Sequence, residues 1–99
     1  MRRKPHPQEY GVLLELLREG RRSRRMRQAD LAAELGRAQA TVSKVESGEI
    51  WLDVIELRAW LRALQIDFVD FMRVLDSTLG APIPRVIRRV DRRPSRRAV

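Results

Sequence analysis

The chain has 99 residues, enough for one domain, and 43% of them are hydrophobic, which allows a modest core. It contains no cysteine, which excludes disulfides and thiolate metal sites, and no apolar run approaches the roughly 18 residues that cross a bilayer. Because no apolar segment follows the basic start, we expect no signal peptide and a cytoplasmic location.

The formal net charge is +8, and it is unevenly distributed. Residues 1–27 and 85–99 are strongly basic, whereas residues 28–84 contain more acidic than basic side chains. All but two of the basic residues are arginine, which binds phosphate through two parallel hydrogen bonds. This layout predicts a folded module with basic ends that meet a polyanion. The plainer alternative is that the arginines only keep a small protein soluble.

The first three predicted helices are short and amphipathic. The first follows Pro5 and Pro7 and carries apolar residues at helical spacing over about 8–22. The second runs over about 28–35 and stops at Gly36. The third covers about 39–46, stops at Gly48, and has an inward stripe of Ala38, Val42 and Val45.

Two further helices begin at aspartates. The spacing of Asp53 and Glu56 resembles that of a capping box at a helix start, and Asp67 and Asp70 have the same spacing. The predicted apolar face of the fourth helix consists of Val54, Leu57, Trp60, Leu61 and Leu64, and that of the fifth of Phe68, Phe71, Met72 and Leu75.

The fifth helix ends near 77–80, and the sequence APIP cannot continue it. We therefore predict an all-α fold of five helices. The expected parts are a basic N-terminal arm at 1–7, a helical domain at 8–80 and an Arg-rich C-terminal tail at 81–99, which is mobile or orders on a partner.

Two helices of about eight residues joined by a short glycine turn have the form of a helix-turn-helix. The outward face of the second is small and polar, with Ala40, Ser43, Lys44 and Ser47, and Gln39 at its edge. A helix with small outward side chains, flanked by a few long ones that can reach the bases, fits a major groove that is only about 12 Å wide. The alternative is a Ser/Ala face that is simply exposed to solvent.

The stretch MRQADLAAELGRAQATVSKVESGEIWLDVIELRAWLRALQIDF resembles the phage-repressor/Cro-like helix-turn-helix family, called the XRE family. The resemblance covers about residues 12–75. Its marks are Gln28-Ala29 with Leu31-Ala32, Gly36 in the turn, Val42-Ser43, Glu46-x-Gly48 and Ala63-Leu64-x-Ile66. It implies a five-helix domain that binds duplex DNA, usually as a dimer on a palindrome.

The resemblance also implies roles for individual residues. Gln39, Ala40, Ser43 and Lys44 would lie over base edges, and Arg27, Gln28, Arg37 and Ser47 would contact phosphates. Glu46 would pair with Arg21, although Arg22 could serve instead. Ala38 stands where the family often has a capping Ser or Thr, and Trp51 is either a lid on the core or an exposed contact.

No residue pattern assembles a catalytic site. Ser43 and Ser47 lack an activating base, and His6, the only histidine, has no second ligand nearby, so we expect no enzyme, no cofactor and no metal.

The sequence thus predicts a sequence-specific transcriptional regulator that binds duplex DNA, either a repressor or the antitoxin of a toxin–antitoxin pair, associated with the nucleoid. The alternative is a protein-binding adaptor, or a non-specific nucleic-acid-binding protein acting through its basic tails. We expect a homodimer on a palindromic operator, formed through a face around Ile55 or through the tail, a possible toxin partner, and no membrane partner.

Overall fold

The computed structural model describes residues 4–80, and all regular structure within that range is helical. The predicted all-α class with five helices is confirmed. The predicted tail at 81–99 and the first three residues of the predicted arm lie outside the described residues. The helices are α1 (Pro7–Ser23), α2 (Gln28–Leu35), α3 (Gln39–Glu46), α4 (Val54–Ala63) and α5 (Phe68–Leu79).

Local capping and turn chemistry sets these bounds. The Asp53 carboxylate accepts a hydrogen bond from the Glu56 amide at 2.8 Å, and Asp67 does the same for the Asp70 amide at 3.0 Å. Each bond satisfies one of the amides that a helix start leaves without a partner. Gly36 ends α2 with a φ of 68°, a left-handed conformation that glycine adopts without steric cost.

One core joins all five helices. α2 packs on α3 and α4, and α1 packs on α3 and α5. The buried apolar side chains are Leu13, Leu14, Leu17, Leu31, Ala32, Val42, Val45, Leu57, Trp60, Leu61, Leu64 and Phe71.

Two residues predicted to face the core are exposed instead. Ala38 is the N-cap of α3 and has extended backbone angles, so its side chain lies off the inner stripe of that helix. Val54, the first residue of α4, is 58% exposed, because it lies on the side of the helix that carries Ile55 and Arg58.

Trp51, which the sequence left open as a lid on the core or an exposed contact, is half-buried and covers Tyr10, a side chain that itself packs against the core. Its ring stacks on Tyr10 with centroids 3.7 Å apart, and its indole nitrogen donates to the carbonyl of Gly48 at 3.1 Å. The Tyr10 hydroxyl in turn accepts from the Leu52 amide at 2.8 Å. The loop after α3 is therefore fixed to the start of α1.

The cap at Asp53 gives a direct test of the α4 start. Replacing Asp53 by Ala should lower the free energy of unfolding by about 1 kcal/mol, because the Glu56 amide loses its acceptor. The Asp53→Asn variant keeps an acceptor and should lose only a small part of that. Urea unfolding followed by circular dichroism measures both. Equal losses in the two variants would show that the side chain does not act as a cap.

Candidate nucleic-acid interface

The outer face of α3 carries four exposed side chains that the sequence assigned to base contacts: Gln39, Ala40, Ser43 and Lys44. The opposite face buries Val42, Val45 and Glu46. Glu46 is the only acidic residue of α3 and it points inward, so no carboxylate on the helix opposes an anionic partner. The exposed surface of α3 is therefore small, polar and suited to close approach by a polyanion.

A buried ion pair fixes α3 from beneath. Arg21 donates to both carboxylate oxygens of Glu46, from Nε to Oε2 at 2.7 Å and from Nη2 to Oε1 at 3.0 Å. Only 9% of Arg21 and 3% of Glu46 are exposed. Arg22, the alternative partner, is exposed. The contact joins the last turns of α1 and α3.

Further hydrogen bonds satisfy the buried charges. Arg21 also donates from Nη1 to the carbonyl of Met26 at 2.8 Å, which holds the turn between α1 and α2. Arg18 donates to the main-chain carbonyl of Glu46. Desolvation makes an incompletely bonded buried pair costly, and the bond from Arg21 to Met26 reduces that cost. The Arg18 bond is a separate contact between α1 and the end of α3.

Gln28 connects the buried pair to the outer face of α3. Its Nε2 donates to Glu46 Oε1 at 3.0 Å, and its Oε1 accepts from Gln39 Nε2 at 3.3 Å. A continuous series of hydrogen bonds thus runs from Arg21 through Glu46 and Gln28 to Gln39. One hydrogen of the Gln39 side-chain amide forms the bond to Gln28, while its oxygen and second hydrogen remain available to a binding partner.

Arg27 and Arg37, which the sequence assigned to phosphate contacts, each form an ion pair with a carboxylate of the same chain. Arg27 binds Asp30 through Nε at 3.1 Å and Nη2 at 2.9 Å, and Arg37 binds Glu56 through Nη2 at 3.0 and 3.1 Å. All four side chains are at least partly exposed, so these pairs contribute little to stability. A phosphate that binds either arginine would share the guanidinium group with the carboxylate or displace the carboxylate from it.

Ser47 is exposed, but its hydroxyl donates to the carbonyl of Lys44 at 3.1 Å. Because that bond uses the only hydroxyl hydrogen, a phosphate contact would need the hydroxyl to rotate away from the carbonyl. The geometry therefore favours Ser47 as a phosphate contact less than it favours Arg27 or Arg37.

Sequence reasoning missed two contacts that shape this surface. It treated Gln28 and Gln39 as separate contacts, whereas their side chains touch, and it gave Arg37 no partner, whereas Glu56 lies against it. The capping position of Glu56 was visible in the sequence, but its contact with a residue 19 positions away was not.

The described residues, 4–80, offer neither a membrane span nor a metal site. No helix there is long and apolar enough to span a membrane, and no three histidine, aspartate or glutamate side chains form a group that could hold a metal ion.

Comparison with known proteins identifies relatives of this arrangement. A family model described as helix-turn-helix matches residues 17–71, from the middle of α1 into α5. A solved structure titled XRE-family like protein, from Pseudomonas syringae pv. tomato str. DC3000, is 39% identical to the chain and superposes with a TM-score of 0.71. The match covers 76% of this chain and 94% of that one. No curated protein matches the sequence.

The choice of Arg21 over its neighbour as the partner of Glu46 can be tested by stability. Arg21→Ala should lower the free energy of unfolding by about 3 kcal/mol or more, since it leaves a buried carboxylate without its counter-ion. Arg22→Ala is the matched control and should change it by less than about 0.5 kcal/mol. Urea unfolding measures both, and similar losses would contradict the assigned pair.

The Arg27–Asp30 contact predicts a pH effect. Hydrogen bonds from the Arg27 side chain and amide lower the pKa of Asp30 to about 2. A lowered folded-state pKa contributes stability above the ordinary carboxyl pKa of about 3.9, and that stability is lost as the pH falls toward 2.

Titration of the Asp30 carboxyl by NMR should accordingly give a midpoint near 2 in the parent chain and a higher one in the Arg27→Gln variant. The variant should also lose less stability between pH 4 and pH 2. An unchanged midpoint would show that Arg27 does not hold the carboxylate in solution.

Proposed function

The chain belongs to the XRE-type helix-turn-helix family of DNA-binding transcription regulators, and on that premise we propose that it reads a specific duplex sequence with α3 in the major groove. The observation that carries the proposal is the hydrogen-bonded series that ends at Gln39 on the outer face of α3. A side chain held in one orientation before binding loses less freedom on the DNA.

In this proposal, Gln39 and Lys44 make the hydrogen bonds that distinguish one base from another. The free oxygen and second amide hydrogen of Gln39 match the N6 donor and N7 acceptor of adenine. Lys44 reaches guanine O6 and N7, Ala40 lies against a thymine methyl group, and Ser43 bonds either kind of base. Since only two of these side chains are long, the operator is defined at few positions.

Phosphate contacts fix the register of the domain on the duplex. Gln28 lies at the N-terminus of α2, where the free amides of the first turn favour an anion. Arg27 and Arg37 flank it and exchange their carboxylate partners for phosphates, and Ser47 adds a weaker contact after its hydroxyl rotates. These contacts are independent of sequence and make binding depend on salt.

In the cell, the regulator acts on nucleoid DNA as a homodimer on a palindromic operator. Its role is that of a repressor or of an antitoxin-type regulator with a toxin or other protein partner. No catalytic activity is part of this function.

Selection from a pool of random duplexes, followed by sequencing, tests the proposal. The parent chain should recover a palindromic motif. The Gln39→Ala, Lys44→Ala double variant should lose the motif and bind about tenfold more weakly or worse, because good base contacts contribute roughly 1–3 kcal/mol each.

A matched control removes the same two kinds of side chain elsewhere. The Gln8→Ala, Arg58→Ala double variant lacks one exposed amide and one exposed positive charge outside α3, and it should keep the motif. Tight binding without a motif, unchanged by the α3 substitutions, would instead favour a non-specific nucleic-acid-binding protein. Failure to bind any duplex would favour a protein-binding adaptor.

A further inference from the structure

The two arginines that the proposed function assigns to phosphates are bound in a similar way. Arg27 is the N-cap residue of α2, and Arg37 lies in the turn between α2 and α3. Each binds the carboxylate of a residue in the first turn of a helix, Asp30 in α2 and Glu56 in α4. These two contacts are called the outer ion pairs. Unlike the buried pair, they are exposed enough to break when another anion approaches.

The helix starts keep both carboxylates close to the arginines. Asp30 Oδ2 accepts from the main-chain amide of Arg27 at 2.8 Å as well as from its side chain, as part of a capping box. The amide of Glu56 donates to the Asp53 carboxylate at 2.8 Å, which fixes the first turn of α4. A phosphate that binds either arginine therefore gains its contact at the expense of one that already exists.

Lys44 differs from these two arginines. It lies on the exposed face of α3, and none of the ion pairs among residues 4–80 includes it. The positive charge assigned to a base is therefore available, whereas the two assigned to phosphates are partly neutralised. On a random duplex, phosphate contacts supply essentially all of the binding free energy. The outer ion pairs consequently weaken the part of binding that does not depend on sequence.

Displacement of the two carboxylates depends on how closely the duplex is held. When base contacts keep α3 in the major groove, the phosphates remain beside Arg27 and Arg37 at a high effective concentration and compete with the carboxylates. A random duplex slides and hops along the domain, so that no phosphate stays beside either arginine. The outer ion pairs then remain formed, and the phosphate contacts are not made.

We propose that Asp30 and Glu56 are specificity-determining residues, which withhold Arg27 and Arg37 from random DNA and release them on the operator. The inference rests on the proposed function, because it needs an operator that α3 reads. It goes further by assigning part of the discrimination to two acidic residues that contact no base. Removing these carboxylates should tighten DNA binding and make it less selective.

The double variant Asp30→Asn, Glu56→Gln of the full chain tests the proposal. Both substitutions keep the shape of the side chain, and the first keeps an oxygen that accepts from the Arg27 amide. Fluorescence anisotropy over a range of salt concentrations gives the dissociation constants for the selected duplex and for a random duplex of equal length. Circular dichroism should show unchanged helix content.

The variant should bind the random duplex about tenfold more tightly, because two arginines become available to phosphates. It should bind the selected duplex less than about threefold more tightly, because the parent chain already makes those contacts there and only the exposed ion pairs are lost. The slope of log K against log salt should become steeper by about 0.9 for each released arginine on the random duplex. On the selected duplex this slope should stay the same.

The matched control is the double variant Glu34→Gln, Glu49→Gln. It removes the same two negative charges from exposed side chains that form none of the ion pairs among residues 4–80, so it should preserve the ratio of the two affinities. A second control adds Arg27→Ala and Arg37→Ala to the test variant. The gain on the random duplex should then disappear, because the carboxylates act through these arginines.

The outcomes separate the two levels of the account. A parent chain that does not distinguish the duplexes would overturn both the proposed function and the role of Asp30 and Glu56. If the parent chain distinguishes them, the role of these residues would be overturned by a test variant that tightens both duplexes equally or neither. It would also be overturned if the control variant lost as much discrimination, or if the gain persisted without the arginines. In those cases the proposed function would stand.

Discussion

The ion pair between Arg21 and Glu46 is the contact on which the rest of the structure depends. Removing two charges from water costs several kcal/mol each, and their mutual attraction offsets this only with good geometry and further hydrogen bonds. Both conditions hold, because Arg21 forms two bonds to the carboxylate and a third to the carbonyl of Met26, while Gln28 satisfies the same carboxylate. One buried pair therefore connects α1, the turn that follows it, α2 and α3.

That pair, together with packing on α2, fixes the position of α3. A helix of eight residues is marginal by itself, and α3 has neither a side-chain cap at Ala38 nor a long apolar stripe. Val42 and Val45 bury one face, and Glu46 anchors the last turn to α1. The outer face is consequently free to be small and polar, because stability does not depend on it. The same network reaches Gln39 through Gln28, so packing and orientation of the candidate reading face have a common origin.

Much of the fold was predictable because its signals are local. Aspartate caps and glycine stops gave helix bounds that the structure reproduces within a few residues. Arg21 could also have been preferred over Arg22 from spacing, since it lies four residues after the buried Leu17 on the same face of α1. The contact of Arg37 with Glu56 could not, because it depends on how α4 packs beside the turn before α3. The hydrogen bond between Gln28 and Gln39 could not be predicted either. The two residues lie on different helices, and the sequence of neither helix specifies the distance between them.

In the proposed function, the buried pair acts through Gln28 to present Gln39 to a base. A crystal structure of the chain bound to its selected duplex tests this most directly. We expect α3 in the major groove, with the Gln39 amide on a base edge while its Nε2 still donates to Gln28 and Glu46 still binds Arg21. A duplex bound elsewhere on the domain, with the outer face of α3 in solvent, or a Gln39 side chain turned away from Gln28 toward the base, would contradict it.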